Sequence, residues 1–167
     1  MRNYKTKAII IKQFEVGEAD RIISVFSRDF GLITLKARGV RKILAKLKGH
    51  LELLSCTQLE IHKSRSSLDT IIGAEAINPF QKIRQNLRST SRLYLVLEFL
   101  NKILPEGESH PKIFDRLLYL LKSLDKNKNK ERRIIVITYF CLQVLRELGY
   151  YPHFRECIKC QKDLKRG

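Results

Sequence analysis

The chain has 167 residues, of which 33 are lysine or arginine and 17 are aspartate or glutamate, so its formal net charge is +16. A hydrophobic content of 44% is enough for a buried core and is ordinary for a globular protein. Such a charge attracts polyanions, and because no apolar run approaches the roughly 18 residues that span a bilayer, it favours nucleic acid over a membrane. The basic N-terminus lacks the apolar segment of a signal peptide, which predicts a cytoplasmic protein.

The first eighty residues predict a β domain. Five segments alternate apolar and polar residues or are rich in β-branched residues, and turns containing Gly and Asp lie between the first three. The predicted strands are residues 7–14, 21–26, 32–37, 56–62 and 68–76. Five strands in this length suit a small closed barrel, for which the OB-fold is the leading candidate. Phe14 and Phe26 lie in strand patterns and are expected in the core.

The break between the third and fourth strands is basic, and its apolar residues have the spacing of a short docked helix with its charges outward. Arginine offers phosphate a planar fork and lysine a point charge. We therefore predict nucleic-acid contacts from Lys36, Arg38, Arg41, Lys42, Lys46 and Lys48. Two further candidates are open. Arg21 either contacts DNA or secures the turn after the first strand, and Arg65 is either a contact at a hairpin tip or a surface turn.

The pattern after residue 80 is helical. Residues 83–104 predict one helix ended by Pro105 and Gly107, and a second begins near Ser109 and runs to Leu124. Residues 125–133 predict a charged linker, and residues 134–148 a further helix that Gly149 caps. The prediction is thus an α+β protein, with an OB-fold domain over residues 1–80 and a helical domain over residues 81–167.

Four cysteines are present, and two of them form a CxxC motif. Cys56 and Cys141 stand alone in apolar segments, whereas Cys157 and Cys160 have a spacing that in a cytosolic chain indicates metal or redox chemistry. Zinc in a structural site prefers four ligands, and the nearby His153 would supply only a third. We therefore predict an incomplete zinc-type motif at the end of the helical domain.

The sequence does not predict an enzyme. Its four histidines are scattered, and it has no HExxH motif, no paired acidic cluster and no Gly-rich phosphate loop. Few aromatic residues are available for stacking on bases, so binding should rest on phosphate contacts, depend strongly on salt and be nearly blind to sequence. The alternative of another class is a structural RNA-binding module of a ribosome-associated type.

Several short motifs then occur in an order that resembles the RecO family of bacterial recombination mediators. Residues 17–21 read G-E-A-D-R, residues 26–33 read F-S-R-D-F-G-L-I and residues 37–41 read A-R-G-V-R. Residues 149–152 read G-Y-Y-P shortly before the CxxC motif. Each motif is weak alone, but the ordered series covers residues 8–160.

The resemblance implies an OB barrel, a helical domain and a zinc-binding cysteine cluster. It also implies a non-catalytic, nucleoid-associated protein that binds single- and double-stranded DNA and anneals complementary strands. Such a protein acts with RecR in recombinational repair of the RecF-pathway type, loading recombinase onto DNA coated by single-strand-binding protein. Family members are longer and often carry two CxxC pairs, so the chain resembles a C-terminally truncated member. The helical half is expected to bind the acidic, apolar tail of single-strand-binding protein, with a basic rim at Arg84, Arg88 and Arg92.

Overall fold

The computed structural model describes residues 3–40, 47–65, 68–126, 130–150, 152, 156–157, 159–160 and 162–163. In the described residues five strands precede four helices, which confirms the predicted α+β class with five strands. The elements are β1 (Asn3–Val16), β2 (Asp20–Ser27), β3 (Gly31–Ala37), a 3-10 turn (Lys48–His50), β4 (Cys56–His62), β5 (Thr70–Asn78), α1 (Gln81–Arg84), α2 (Leu87–Ile103), α3 (Pro111–Lys126) and α4 (Lys130–Glu147). The division into domains after residue 80 stays a prediction.

Strand pairing closes the sheet into a barrel in the order β1-β2-β3-β5-β4, with β4 paired back onto β1. The β3–β5 pair is parallel and joins Lys36 to Thr70, while the other four pairs are antiparallel. The Lys36 N–H donates to the carbonyl of Asp69 at 2.8 Å. The parallel pair therefore brings the loop between β4 and β5 beside the end of β3.

The two faces of the strands bury their side chains against different partners. Alternate residues point into the barrel, where they form a closed apolar cluster that includes Ile10, Ile23, Val25, Leu35, Leu59 and Ile61. On the outer face, at one end, Ile9, Phe26, Leu32 and Cys56 pack instead against the helices. The ring centroids of Phe26 and Phe114 in α3 are 5.8 Å apart. One apolar core therefore joins the barrel to the helical half.

A β-bulge in β1 changes which side chains face outward. Ala8 and Ile10 point into the barrel, but the pairing register shifts between Ile10 and Lys12. Beyond that shift Phe14 lies opposite Ile22 on the outer face, and its side chain is 48% exposed. The expectation that Phe14 is a core residue is therefore wrong, because a bulge inverts the alternation that a regular strand would keep. Phe26 is buried, as expected.

The predicted helix over residues 83–104 is interrupted. α1 ends at Arg84 and α2 begins at Leu87, because the Asn86 Oδ1 accepts a hydrogen bond from the Ser89 N–H at 3.1 Å and so starts a new helix. The two later helices occur as predicted, but the linker predicted over residues 125–133 is too long, because α3 continues to Lys126 and α4 begins at Lys130. Gly149 has a φ of +81° after α4, and the following N–H, that of Tyr150, donates to the Leu145 carbonyl at 2.8 Å, which is a Schellman cap.

The turn between β2 and β3 is fastened to the segment between α2 and α3. Gly31 has a φ of +66°, and a Cβ atom placed on it would lie 1.8 Å from the Glu108 carbonyl oxygen. The Gly107 N–H donates to the Leu32 carbonyl at 2.9 Å. The Arg28 guanidinium forms two hydrogen bonds of 3.1 Å with the Asp115 carboxylate of α3. The G-L-I motif therefore marks a close approach of backbones that only glycine permits.

Within the described part of the chain, no helix is long and apolar enough to cross a membrane.

Candidate nucleic-acid interface

Beyond the bulge the outer face of β1, β2 and β3 is open to solvent, and its Lys12 end borders a groove whose other wall includes Glu98 and Lys102 of α2. Its exposed and half-buried side chains form two cross-strand rows, Lys12–Ser24–Thr34 and Phe14–Ile22–Lys36. We call these six residues the platform. In OB-folds the face of strands 2 and 3, with the loops after β1 and β4, is the usual site for oligonucleotides. The platform therefore occupies the position at which such a fold binds nucleic acid.

One edge of the platform combines a cation with an aromatic ring. The Lys12 ammonium lies 4.6 Å from the centroid of the Phe14 ring, within the range of a cation–π contact. An exposed ring can stack on a base whatever the base is, and a neighbouring ammonium can reach the phosphate beside it. Neither residue was among the sequence-predicted contacts. No sequence signal would have found them, because the bulge that turns Phe14 outward leaves no mark in the pattern of residues 7–14.

The opposite edge of the platform is organised by Asp20. Its carboxylate accepts a hydrogen bond from the Gly39 N–H at 2.8 Å and lies 3.0 Å from the Lys36 ammonium. The Gly39 N–H is the main cause that holds the pKa of Asp20 below its ordinary value of 3.8, and Lys36 lowers it further. These contacts tie the turn after β3 to the start of β2. The side chain of Arg38, in that turn, is exposed to solvent.

Arg21 is engaged within the protein. Its side chain is 18% exposed, donates to the Gln13 Oε1 at 3.2 Å and lies 3.6 Å from the Glu15 carboxylate. Gln13 in turn donates to the Leu51 carbonyl. Of the two roles that the sequence left open for Arg21, these contacts favour the structural role at the turn after β1 over contact with DNA.

The remaining predicted contacts follow β3 or lie in the loop after β4. Arg65 is exposed in the loop that the β3–β5 pair places beside Lys36, and the Asp69 Oδ1 accepts a hydrogen bond from the Ser64 N–H in that loop at 2.8 Å. Lys48 begins the 3-10 turn. Arg41, Lys42 and Lys46 lie outside the described residues, as does most of the helix predicted there.

The three arginines predicted as a rim do not share one helix. Arg84 lies in α1, and its guanidinium is 3.0 Å from the Glu52 carboxylate. Arg88 and Arg92 lie one turn apart in α2, where Arg88 is exposed and Arg92 half-buried. The single helix predicted over residues 83–104 therefore does not carry the whole rim, because Asn86 starts a new helix between Arg84 and the other two arginines.

The CxxC motif forms a small turn. The Cys157 N–H donates to the Lys162 carbonyl at 2.9 Å, next to an isolated bridge between Glu156 and Asp163. Hydrogen bonds from the N–H groups of Cys160 and Lys159 lower the pKa of the Cys157 thiol, which favours the thiolate that a metal binds. The motif thus fits two of the four positions around zinc. His153 lies outside the described residues, among which no group of three possible ligands occurs.

Two family models match the chain and together cover nearly all of it. The model described as Recombination protein O N terminal matches residues 1–80, and the model described as Recombination protein O C terminal matches residues 84–167. A DNA repair protein RecO of Dehalococcoides mccartyi is 37% identical over 163 residues, which are 98% of this chain and 63% of the relative. One of Thermodesulfovibrio yellowstonii is 34% identical over 163 residues, 98% of this chain and 64% of the relative. The chain thus spans less than two thirds of the length of these curated relatives, and on these matches it belongs to the RecO family of DNA repair proteins.

Proposed function

We propose that this chain is a non-catalytic DNA-binding recombination mediator. It anneals complementary single strands and helps to load recombinase onto DNA coated by single-strand-binding protein, in recombinational repair of the RecF-pathway type. The observation that carries the proposal is the platform, a bare outer face of β1, β2 and β3 that ends in exposed basic groups. Family membership supplies the biological process, since the relatives are named DNA repair proteins.

The chemistry of the platform suits strand annealing. It offers one exposed ring for stacking, that of Phe14, and otherwise ammonium and guanidinium groups for phosphates. Phosphate contacts carry little sequence information and release counterions, so binding is sequence-blind and weakens steeply with salt. A protein that anneals strands exchanges binding free energy, because the bases it holds must be released to pair with each other. No covalent bond needs to break, which is why we propose no catalytic role.

The test of the proposal is annealing of complementary oligonucleotides precoated with single-strand-binding protein, measured across a salt series. We expect annealing by the unmodified chain, and weaker DNA binding by the double variant K12Q/R38Q. Each lost phosphate contact should reduce the slope of log affinity against log salt by about 0.7 for single strands. The matched control is K5Q/K112Q, which removes two exposed lysines that are paired with Glu60 and Glu147.

The outcomes separate the alternatives. Equal salt slopes for K12Q/R38Q and K5Q/K112Q would mean that the platform is not the binding face. A marked preference of the unmodified chain for structured RNA over single-stranded DNA would favour the ribosome-associated RNA-binding alternative. Annealing of naked strands but not of coated strands would leave DNA binding standing and contradict the mediator role.

The tail of single-strand-binding protein is the second partner that we propose, at α2. Arg88, Arg92 and Leu95 are one turn apart along this helix, and Leu95 is 67% exposed. A basic and apolar stripe of this kind complements an acidic, apolar peptide. The affinity of the tail peptide should fall in R88A/R92A and change little in R84A, because the Arg84 guanidinium is already paired with Glu52. Equal tail affinities in R88A/R92A, R84A and the unmodified chain would remove the assignment.

RecR is a further partner that we propose for the chain.

Zinc is the cofactor that we propose for the CxxC motif. The lowered pKa of the Cys157 thiol and its N–H donors support metal binding by this turn. Zinc content measured by release from the protein with a thiol-modifying reagent should fall in C157S/C160S. A zinc content that is the same in this variant and in the unmodified protein would place the metal elsewhere.

A further inference from the structure

A second basic surface lies at the junction of the barrel and the helices, away from the platform. It is a groove of about 440 Å³ whose lining includes Phe80, Lys82 of α1, and Lys122 and Lys126 of α3. The three lysines are exposed. An OB-fold binds nucleic acid through the face of strands 2 and 3 and the loops beside it. The junction groove lies outside those elements.

Lys7 brings a fourth positive charge to the same side of the barrel, because its neighbour on that face, Ile9, pairs with Cys56, and Cys56 pairs with Asn78 of the groove lining. It lies on the outer face of β1, two residues from Ile9, and its charge acts together with that of Lys122 on the buried thiol of Cys56. Burial raises the pKa of that thiol to about 11, and the two ammonium groups work in the opposite direction. Lys7 of the barrel and Lys122 of α3 therefore both lie within electrostatic range of the Cys56 thiol. We call Lys7, Lys82, Lys122 and Lys126 the junction lysines.

Among the described residues, the charges of the junction lysines are not neutralised by ion pairs. Within the part of the chain that the structure describes, none of the four is paired with a carboxylate, whereas Lys5, Lys36, Lys102 and Lys112 each are. Asp125 is the acidic residue of the groove lining, and its Oδ1 accepts a hydrogen bond from the Ile83 N–H at 3.2 Å. This bond joins α1 to α3 and so fixes Lys82 relative to Lys122 and Lys126.

The junction lysines and the platform are separate surfaces. Along β1 the five residue steps from Lys7 to Lys12 span about 17 Å at a rise of about 3.3 Å per residue. Between them Ile9 and Ile11 are buried under the helices, together with Phe26 of β2. A ligand on the platform therefore leaves the junction groove open.

We propose that the junction lysines bind the phosphates of a second DNA strand while the platform holds the first. Lysine ammonium groups suit this ligand, because a point charge binds phosphate without a fixed geometry and so accepts any sequence. Two strands held on one protein raise their effective concentration for pairing. The inference rests on the proposed function, since it assigns the second site that annealing on a single protein molecule needs.

The test uses two labelled oligonucleotides that cannot pair, one of thymidine and one of cytidine residues, with energy transfer between the labels as the signal that both are bound. We expect the unmodified chain to give the signal and K82Q/K122Q/K126Q to lose it while keeping its affinity for one oligonucleotide. The salt slope for binding the second strand should fall by about 2, from three lost contacts at about 0.7 each. The arginine variant K82R/K122R/K126R should keep the signal.

The matched control is K5Q/K112Q/R146Q, which also loses three exposed cationic side chains outside the platform and the groove and should keep the signal. A signal in K82Q/K122Q/K126Q equal to that of the control would overturn the inference. So would an equal loss of affinity for the first and second oligonucleotides, because the groove would then belong to one continuous site. Failure of the unmodified chain to bind even one oligonucleotide is a different result, which refutes the proposed function itself. Thermal melts of the four proteins check that each variant is folded.

Discussion

The outer face of the barrel is used in two different ways by the same strands. At one end Ile9, Phe26 and Leu32 are buried under the helices, while at the other the platform carries Phe14, Ile22 and Lys36 and is left bare. Phe14 and Phe26 show the difference, since both are phenylalanines on the outer face, yet one is 48% exposed and the other fully buried. Apolar side chains on this surface therefore hold the fold together only where a helix covers them, and elsewhere they are available to a ligand.

The largest effect should come from the covered end. Phe26→Ala removes a ring that is fully buried and packs on Phe114, so the free energy of unfolding should fall by about 3–5 kcal/mol. Urea denaturation measures this change. Phe14→Ala is the matched control on the same face and should change the stability by less than about 1 kcal/mol, as exposed positions do. Equal losses of unfolding free energy in the two variants would mean that the covered and the bare end contribute equally to stability.

The contact between the turn after β2 and the segment between α2 and α3 should be almost as sensitive to substitution. Gly31→Ala places a Cβ atom where the Glu108 carbonyl oxygen already lies, and it also puts a side chain on a backbone with a φ of +66°. We expect the free energy of unfolding to fall by about 2–4 kcal/mol. Gly17→Ala is the control, because Gly17 has a similar φ of +58° but nothing within 4 Å of its Cβ position. If Gly31→Ala lowers the free energy of unfolding no more than Gly17→Ala does, backbone strain alone explains the loss. That result would contradict the close approach of Gly31 to Glu108.

The bare end should be sensitive in binding rather than in folding. Phe14→Ala is expected to weaken the binding of a single-stranded oligonucleotide by about 1–3 kcal/mol, the usual value of one base stacked on an aromatic ring. Fluorescence anisotropy with a labelled oligonucleotide measures the affinity. Phe14→Tyr keeps the ring and should bind as the unmodified chain does. If Phe14→Ala and Phe14→Tyr bind equally well, the ring does not contact bases.

The smallest expected effect is a dependence of the protein's stability on pH. Because the pKa of Asp20 is lowered in the fold, its carboxylate stabilises the protein above the ordinary pKa of 3.8, and this contribution is lost as the pH falls below that value. Asp20→Asn keeps an acceptor for the Gly39 N–H but loses the charge that faces Lys36. The unmodified chain should therefore have the higher Tm near neutral pH, and the difference should shrink toward about pH 3. A Tm difference that does not change with pH would mean that the charge of Asp20 has no part in it.

Local patterns were sufficient for most of the secondary structure. Residues 56–62 were predicted as a strand and form β4 with the same limits, because its alternation is regular and both of its neighbours are antiparallel. The start of α2 was missed although Asn86 is a residue type that commonly caps helices, since the apolar pattern runs on across it. A capping residue inside a continuous apolar pattern is therefore a signal that a new helix begins there.

The candidate site was only partly predictable. Composition pointed to a basic surface, and the run from Lys36 onward was chosen because lysine and arginine are dense there. Burial of Arg21 against Gln13 and the outward turn of Phe14 depend on which strands pair and in which register. The junction lysines come from β1, α1 and α3, so no window of sequence contains them together.

The sequence by itself determined the order of strands and helices, the excess of positive charge and the motifs of the family, because these depend on residue types and their spacing along the chain. Only the tertiary structure decided which outward-facing residues are covered and which basic groups meet. A side chain on a strand faces solvent or a helix according to what packs on it, and the parallel pairing of Lys36 with Thr70 is a contact between segments far apart in the chain. The physical reason is that burial and charge proximity are properties of pairs of distant residues, which local patterns do not specify.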